Sequence, residues 1–274
     1  MDMASTFPAV RACIFDMDGL LINSEDIITQ STNKLLERYH RPPLTSSIRA
    51  QLMGIPDSTS SDLFHNWAKV PIPRDQFAHE LKEQMWLDFP KSVPLPGAED
   101  LLSLLSRAVN ATGAPIALAL ASSTKTHSYE LKTSRHEAKQ LLSFFHPDRR
   151  VLGDDERLRQ GRGKPARDIY LVALQSINST VSSSESAIKP DECLVFEDSV
   201  AGVEAGRRAG MRVVWVPHPD VAVEYQATQK EVLAGRTGQF KIGDDWQLGA
   251  IDDGWAECIQ SLQHFDYKKY GIIP

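Results

Sequence analysis

Four short runs along the chain are apolar, but for Arg212 in the last of them, and each ends abruptly. Ala12-Cys13-Ile14-Phe15 stops at Asp16, Ile116–Ala121 stops at Ser122, Cys193–Phe196 stops at Glu197-Asp198, and Met211–Val216 stops at Pro217. Continuous apolar runs of this length predict strands buried on both faces. Val151-Leu152 reads as a shorter strand, followed by Gly153-Asp154-Asp155. Helical spacing fills the intervals. Ala98–Val109 places Leu101, Leu102, Leu104, Leu105 and Ala108 on one face. Tyr129–Phe145 is mostly helical in pattern, Pro165 can open a helix that runs to about Ile177, and Val200–Ala209 predicts another. Residues 23–95 differ, because helical patterns such as Ile27–Tyr39 dominate and no strand pattern appears. Gly19–Asn23 and the Pro-rich Pro94–Gly97 read as the outgoing and returning hinges of an insertion. The alternation of strands and helices predicts an α/β core with a parallel sheet covered by helices on both faces. That core takes residues 1–22 and 96–274, and residues 23–95 form a small all-helical unit.

In such a sheet, ligands bind outside the carboxyl ends of the strands. Three of those ends carry polar residues here: Asp16 and Asp18, Ser122, and Glu197 with Asp198. Lys164 lies in a loop that can reach the same edge. Charges at the end of a buried strand are costly without a cation or substrate to meet them. Carboxylates converging with a lysine and a hydroxyl suit Mg²⁺ together with a phosphate, since Mg²⁺ takes oxygen ligands. One carboxylate can attack phosphorus, and a second can move the proton. Asp18, two residues from Asp16, is placed for the second task.

Composition changes this picture little. The 274 residues are 42% hydrophobic and 24% charged with a net charge of −6, ordinary for a globular protein and without the basic footprint of a nucleic-acid binder. No apolar run approaches the roughly 20 residues of a membrane span, so no membrane partner is expected. The N-terminal segment lacks the apolar stretch of a signal peptide, and a cytoplasmic location is expected. Cys13, Cys193 and Cys258 are widely spaced and read as reduced thiols. A monomer is the default expectation. Asn178–Ser186 reads as a Ser-rich surface loop, and the tail from Thr228 is expected to pack on the core.

Taken in order, D-M-D-G at Asp16–Gly19, A-S-S at Ala121–Ser123, G-K-P at Gly163–Pro165 and F-E-D-S-x-x-G at Phe196–Gly202 resemble the haloacid-dehalogenase-like hydrolases. The resemblance extends to about Pro217. It implies a Rossmann-like core with a helical cap after the first strand, and a Mg²⁺-dependent phosphatase working through an aspartyl-phosphate. Asp16 would be the nucleophile and Asp18 the general acid and base. Mg²⁺ would bind Asp16, the Asp18 carbonyl and Asp198, with Glu197 assisting. Ser122, Ser123 and Lys164 would bind phosphate, and Met53, Gly54 and Thr124 are candidates for substrate specificity. Mutases of the β-phosphoglucomutase type are similar but carry a histidine where this chain has Ile28. The resemblance is closer to pseudouridine 5′-phosphatase-like members, through Leu131–His136, Val151–Asp155, Cys193–Asp198, Pro94–Ala98 and Leu52–Gly54. The chain departs from them at Asn23, at Arg167 and in the stretch 228–253. The expected partner is thus a small phosphorylated metabolite, nucleotide-like or a sugar or polyol phosphate. A phosphosugar mutase and a weakly catalytic binding protein are the rivals.

Several residues have a structural reading beside the functional one. Asp154 and Asp155 either line the site or sit in a solvated loop. Lys132, Arg135 and His136 are either a solvated helix face or core contacts. Trp67, Trp86 and Phe89 read as the core of the helical unit. Asp168 is expected to orient Lys164 or cap its loop, and Gly202 and Gly206 to allow close helix packing.

Overall fold

Alternation along each strand builds the two sides of the core. In β1 (Ala12–Phe15), Cys13 and Phe15 join one hydrophobic cluster while Ala12 and Ile14 join the other, and all four are buried. β3 (Ala117–Ala121), β5 (Cys193–Glu197) and β6 (Arg212–Trp215) divide their side chains in the same way. With β4 (Arg150–Val151) and β7 (Ala256–Cys258) they form a six-stranded sheet of order β4-β3-β1-β5-β6-β7. Every neighbouring pair in it is parallel. Phe15 and Phe196 stack on adjacent central strands, with centroids 4.5 Å apart. This is a computed structural model, and it describes residues 7–55, 59, 61–180, 186–239 and 249–274.

Between β1 and the core helix α5 (Ala98–Leu105) lie α1 (Ser24–Arg38), α2 (Ser46–Leu52), α3 (Asp62–Ala68), α4 (Arg74–Asp88) and a 3₁₀ turn at Phe89–Lys91. This unit has a hydrophobic cluster of its own, built on Leu35, Leu36, Phe64, Phe77 and Leu81. Its two connections to the sheet run side by side. Asn23 N–H donates to the Val93 carbonyl, and the Asn23 side chain accepts from Val93 N–H at 2.9 Å. Leu95 N–H donates to the Leu21 carbonyl. Asn23 therefore fastens the two connections together rather than capping α1.

Asp88 anchors the unit internally. Its buried carboxylate accepts from Ser31 at 2.9 Å, Gln84 at 2.8 Å, Lys34 at 2.7 Å and Lys91 at 2.5 Å. Burial alone pushes this carboxyl up, but the donors outweigh it and hold the group below the usual range. A depressed carboxylate stabilises fully above its unfolded pKa of about 3.9, and that stability is lost as pH falls below it. Asp88→Asn is expected to cost about 1–3 kcal/mol at pH 7. The difference from the native protein should shrink by pH 3, as read by thermal melting at the two pH values.

Several expected boundaries move. The helix predicted over Ala98–Val109 ends at Leu105, and Val109–Asn110 becomes β2, antiparallel to β8 (Ile272–Ile273). Asn110 drives this change. Its side chain accepts from Thr112 N–H and Ala114 N–H and donates to the Val10 carbonyl, local bonds that replace helix. The segment Tyr129–Phe145 splits into α6 (Thr126–Lys132) and α7 (His136–Leu142). Pro165 does not open a helix. It lies in the loop after a cis Lys164–Pro165 peptide, and α8 covers Asp168–Asn178. After α9 (Val200–Arg208), the tail adds α10 (Pro219–Glu224), α11 (Gln229–Ala234) and β7. Leu262, Phe265 and Ile272 enter the core, so the tail does pack on it. The predicted loop at 178–186 and the acidic run Gly243-Asp244-Asp245 lie partly or wholly outside the described residues. The three cysteines are free.

Candidate active site

The carboxyl ends of β1, β3 and β5 meet at one point on the sheet edge. Asp16 extends the ladder by one bond, its N–H donating to the Phe196 carbonyl, and the residue is 5% exposed. Lys164 Nζ forms an ion pair with Asp16 and lies 2.6 Å from Glu197 Oε1. Asp16, Glu197 and Asp198 each offer an oxygen within 4.8 Å of the others. Burial, with Glu197 and Asp18 adding to it, pushes Asp16 up to about 8 despite Lys164. Asp198 is also raised, by burial and then by Asp16 and Glu197. Lys164 moves upward, because the carboxylates outweigh its burial. Three buried acids thus share one ammonium. The donors are all oxygens, so the cluster fits a hard divalent cation.

Glu197 is fully buried and already well supplied with donors. Tyr170 Oη donates to it at 2.5 Å, Asp198 N–H at 3.1 Å, Ser199 N–H at 3.2 Å and Ser199 Oγ at 3.1 Å. Gly202 makes room for this carboxylate, since a Cβ there would come within 1.8 Å of Glu197 Oε1. The expected helix packing holds only for Gly206, which lies against Val213 and Val195.

Asp18 has a different surrounding. Its carboxylate accepts from Lys132 Nζ at 2.6 Å, Ser24 Oγ at 2.5 Å, Thr124 Oγ1 at 2.5 Å and Ser122 Oγ at 3.1 Å. Burial acts against the charged form, but Lys132 and the hydroxyls prevail and hold Asp18 below the ordinary carboxylate range. The two acids, only two positions apart in sequence, are therefore pushed in opposite directions.

A cavity of about 230 Å³ opens between this edge and the helical unit. Asp16, Asp18, Ser123, Thr124, Lys164 and Asp198 face it from the core. Met53, Gly54, Glu25, Ile28 and Arg49 line it from the helical unit. Gly54 presses on the core, where a Cβ would come within 2.2 Å of Ser199 Cβ. Its positive φ of 71° also favours glycine. Burial and the nearby Asp18 push Glu25 up to about 7. All ten residues predicted for the site converge here, but Ser122 and Glu197 stand behind the wall rather than in it.

Other readings are corrected. Asp154 caps the start of α6 by accepting from Thr126 N–H at 3.0 Å, and Asp155 pairs with Arg157 at 2.6 Å, so neither lines the cavity. Asp168 binds Arg162 in the Lys164 loop. Arg135 and His136 are exposed, but Lys132 is 4% exposed and sits in the site. Trp67 does pack in the helical unit, whereas Trp86 meets His127 of the core edge-on. Phe89 lies under Lys132 Nζ, 4.6 Å from ring centroid to nitrogen. Sequence reasoning missed Lys132, Ser24 and Tyr170 as site groups. The one available signal was the position of Lys132 in the family-like stretch Leu131–His136.

The sequence model described as haloacid dehalogenase-like hydrolase matches residues 13–216, and the chain belongs to that family. Within it, the chain is an enzyme of the phosphatase type. It is 36% identical over 264 residues to a probable pseudouridine-5′-phosphatase of Saccharomyces cerevisiae, covering 96% of this chain and 98% of the relative. It is 33% identical to (DL)-glycerol-3-phosphatase 1 of Arabidopsis thaliana, covering 89% of this chain and 76% of the relative. A solved haloacid dehalogenase-family hydrolase of Entamoeba histolytica shares the fold, with a TM-score of 0.63, 18% identity, and coverage of 95% of this chain and 97% of that one. Among the described residues, no helix is long and apolar enough to cross a membrane.

Proposed function

We propose that this protein is a Mg²⁺-dependent phosphomonoesterase in which Asp16 is the nucleophile and Asp18 the general acid and base. One observation carries the reading: a buried Asp16, paired with Lys164 and clustered with Asp198, faces the cavity between the sheet edge and the helical unit. Asp16, Asp198 and the Asp18 carbonyl would hold Mg²⁺, which when bound neutralises phosphoryl charge. Glu197, engaged by Tyr170 and Ser199, keeps Lys164 and Asp198 in place. An Asp16 carboxylate oxygen attacks phosphorus while the bond to the leaving oxygen breaks, and Asp18 protonates the departing alcohol. Asp18 then takes a proton from water, whose oxygen attacks phosphorus and releases phosphate from Asp16. The donors around Asp18 favour its carboxylate, the form this second step needs. Lys164 and the backbone at Ser123 hold the phosphoryl oxygens. The unit at 23–95 is the cap, which excludes water and reads the leaving group.

The substrate is a small phosphorylated metabolite. Ile28, Leu52, Met53, Leu81 and Met85 give the cap side apolar walls, and Thr29, Thr32 and Arg49 add polar points. Pseudouridine 5′-phosphate and glycerol 3-phosphate, suggested by the relatives, head a screen of nucleotide, sugar and polyol phosphates. Ile28 lines the cavity where the mutases place a histidine, which disfavours phosphoryl transfer within a sugar.

Metal dependence has a thermal signature. An acid with a raised folded pKa binds its proton in the folded state, so the metal-free fold loses stability as pH rises from about 4 toward 8. Mg²⁺ competes with those protons. Added Mg²⁺ is therefore expected to raise the melting temperature more at pH 8 than at pH 5, and EDTA to abolish turnover reversibly. Equal stabilisation at both pH values, with turnover surviving EDTA, would rule out the site.

A further inference from the structure

We infer that Lys132 is a positioning residue for the acid–base step, holding Asp18 through a direct contact and a hydroxyl relay. The inference rests on the reading of Asp18 given above and goes beyond it. Lys132 ends α6 and is 4% exposed, so its ammonium needs partners inside the protein. It has three. Nζ lies 2.6 Å from Asp18 Oδ1, 2.8 Å from Thr124 Oγ1 and 4.6 Å from the centre of the Phe89 ring. Because Thr124 Oγ1 accepts from Lys132, its own proton is directed to Asp18 Oδ2, at 2.5 Å. One ammonium therefore fixes both oxygens of the acid, one directly and one through Thr124.

The same contacts join Asp18 to the cap at both ends. Ser24, the first residue of α1, donates to Asp18 Oδ1 at 2.5 Å. Phe89, in the last turn before the return connection, covers the Lys132 ammonium. Lys132, Thr124 and Ser122 hold Asp18 from the core, and Ser24 adds a donor from the cap, whereas Asp16 is held by Lys164 from the core alone. Lys132 itself performs no chemistry; it aims the group that does.

The test compares four proteins: native, Lys132→Met, Asp18→Asn and the double variant, with Mg²⁺ and p-nitrophenyl phosphate. Lys132→Met in the native background is expected to lower steady-state phosphate release about 10- to 100-fold, a partial loss of the roughly 10²- to 10⁴-fold that acid–base catalysis contributes. KM should stay within about threefold of native. In the Asp18→Asn background, the same substitution should change phosphate release by less than about twofold, because the group it aims is gone. Equal fold-losses in both backgrounds, or no loss in the native one, would overturn the inference. Thr124→Val cuts the relay with little change of shape and serves if Lys132→Met does not fold. It should lower phosphate release about 3- to 10-fold in native protein and leave Asp18→Asn unchanged, and a loss in both backgrounds again overturns the inference. Full turnover by Asp18→Asn alone is a different failure, since it removes the acid–base reading on which the role of Lys132 depends.

Discussion

Asp16→Asn is expected to lower hydrolysis of p-nitrophenyl phosphate by about 10⁴-fold or more, the scale seen when a covalent nucleophile is removed. The amide keeps the shape of the carboxylate but cannot attack phosphorus. The fold should tolerate the change, because burial and the neighbouring Glu197 and Asp18 already disfavour charge at this position. At pH 8 without metal, the melting temperature should hold or rise as activity disappears. Loss of activity without loss of stability separates a nucleophile from a structural acid.

Lys164→Met is expected to damage both properties. The ammonium touches Asp16 and Glu197 and is 7% exposed as a residue. Without it, three buried carboxylates face one another. Leaving buried charge unpaired costs about 3–5 kcal/mol. The cost should be greatest near pH 8 and smaller at pH 5, where Asp16 takes up a proton. Lys164 stays charged across that window, since its pKa is raised above the ordinary lysine value, so the pH dependence comes from the acids. Turnover at pH 7 with Mg²⁺ should fall about 10³-fold, the scale for losing one preorganised charge at a phosphoryl or oxyanion site. Melting at the two pH values, with steady-state rates, checks both parts.

The sheet was legible because its central strands are continuous apolar runs that end at charged or polar residues. Asp16, Ser122 and Glu197 mark those ends in the structure as in the sequence. The floor of the site follows from the same feature, since the strand ends converge by topology alone. The surroundings of Asp18 could not be read this way. Lys132 and Ser24 reach it from 114 and 6 positions away, along helices whose patterns give no sign of an inward lysine or serine. Lys132 read either as one of a solvated face with Arg135 and His136 or as a core contact, and its contacts with Asp18, Thr124 and the Phe89 ring decide for the second. Asp154 and Asp155 misled for the opposite reason. They follow a strand, yet local bonds to Thr126 and Arg157 take them away from the cavity. β2, β7 and β8 were missed because they are two or three residues long and owe their pairing to distant partners. Asn23, which no pattern explained, proves to be the tie between the two connections of the helical unit to the sheet.

The central claim is a covalent phosphoryl group on Asp16. It is tested most directly by quenching Asp18→Asn with acid during turnover of p-nitrophenyl phosphate and Mg²⁺, then reducing with borohydride and sequencing the peptides by mass spectrometry. An acyl phosphate at position 16 is reduced to homoserine, so homoserine at that position is the expected result. Aspartate left unchanged at position 16 while p-nitrophenolate is released, or phosphate found on another residue, would contradict the account.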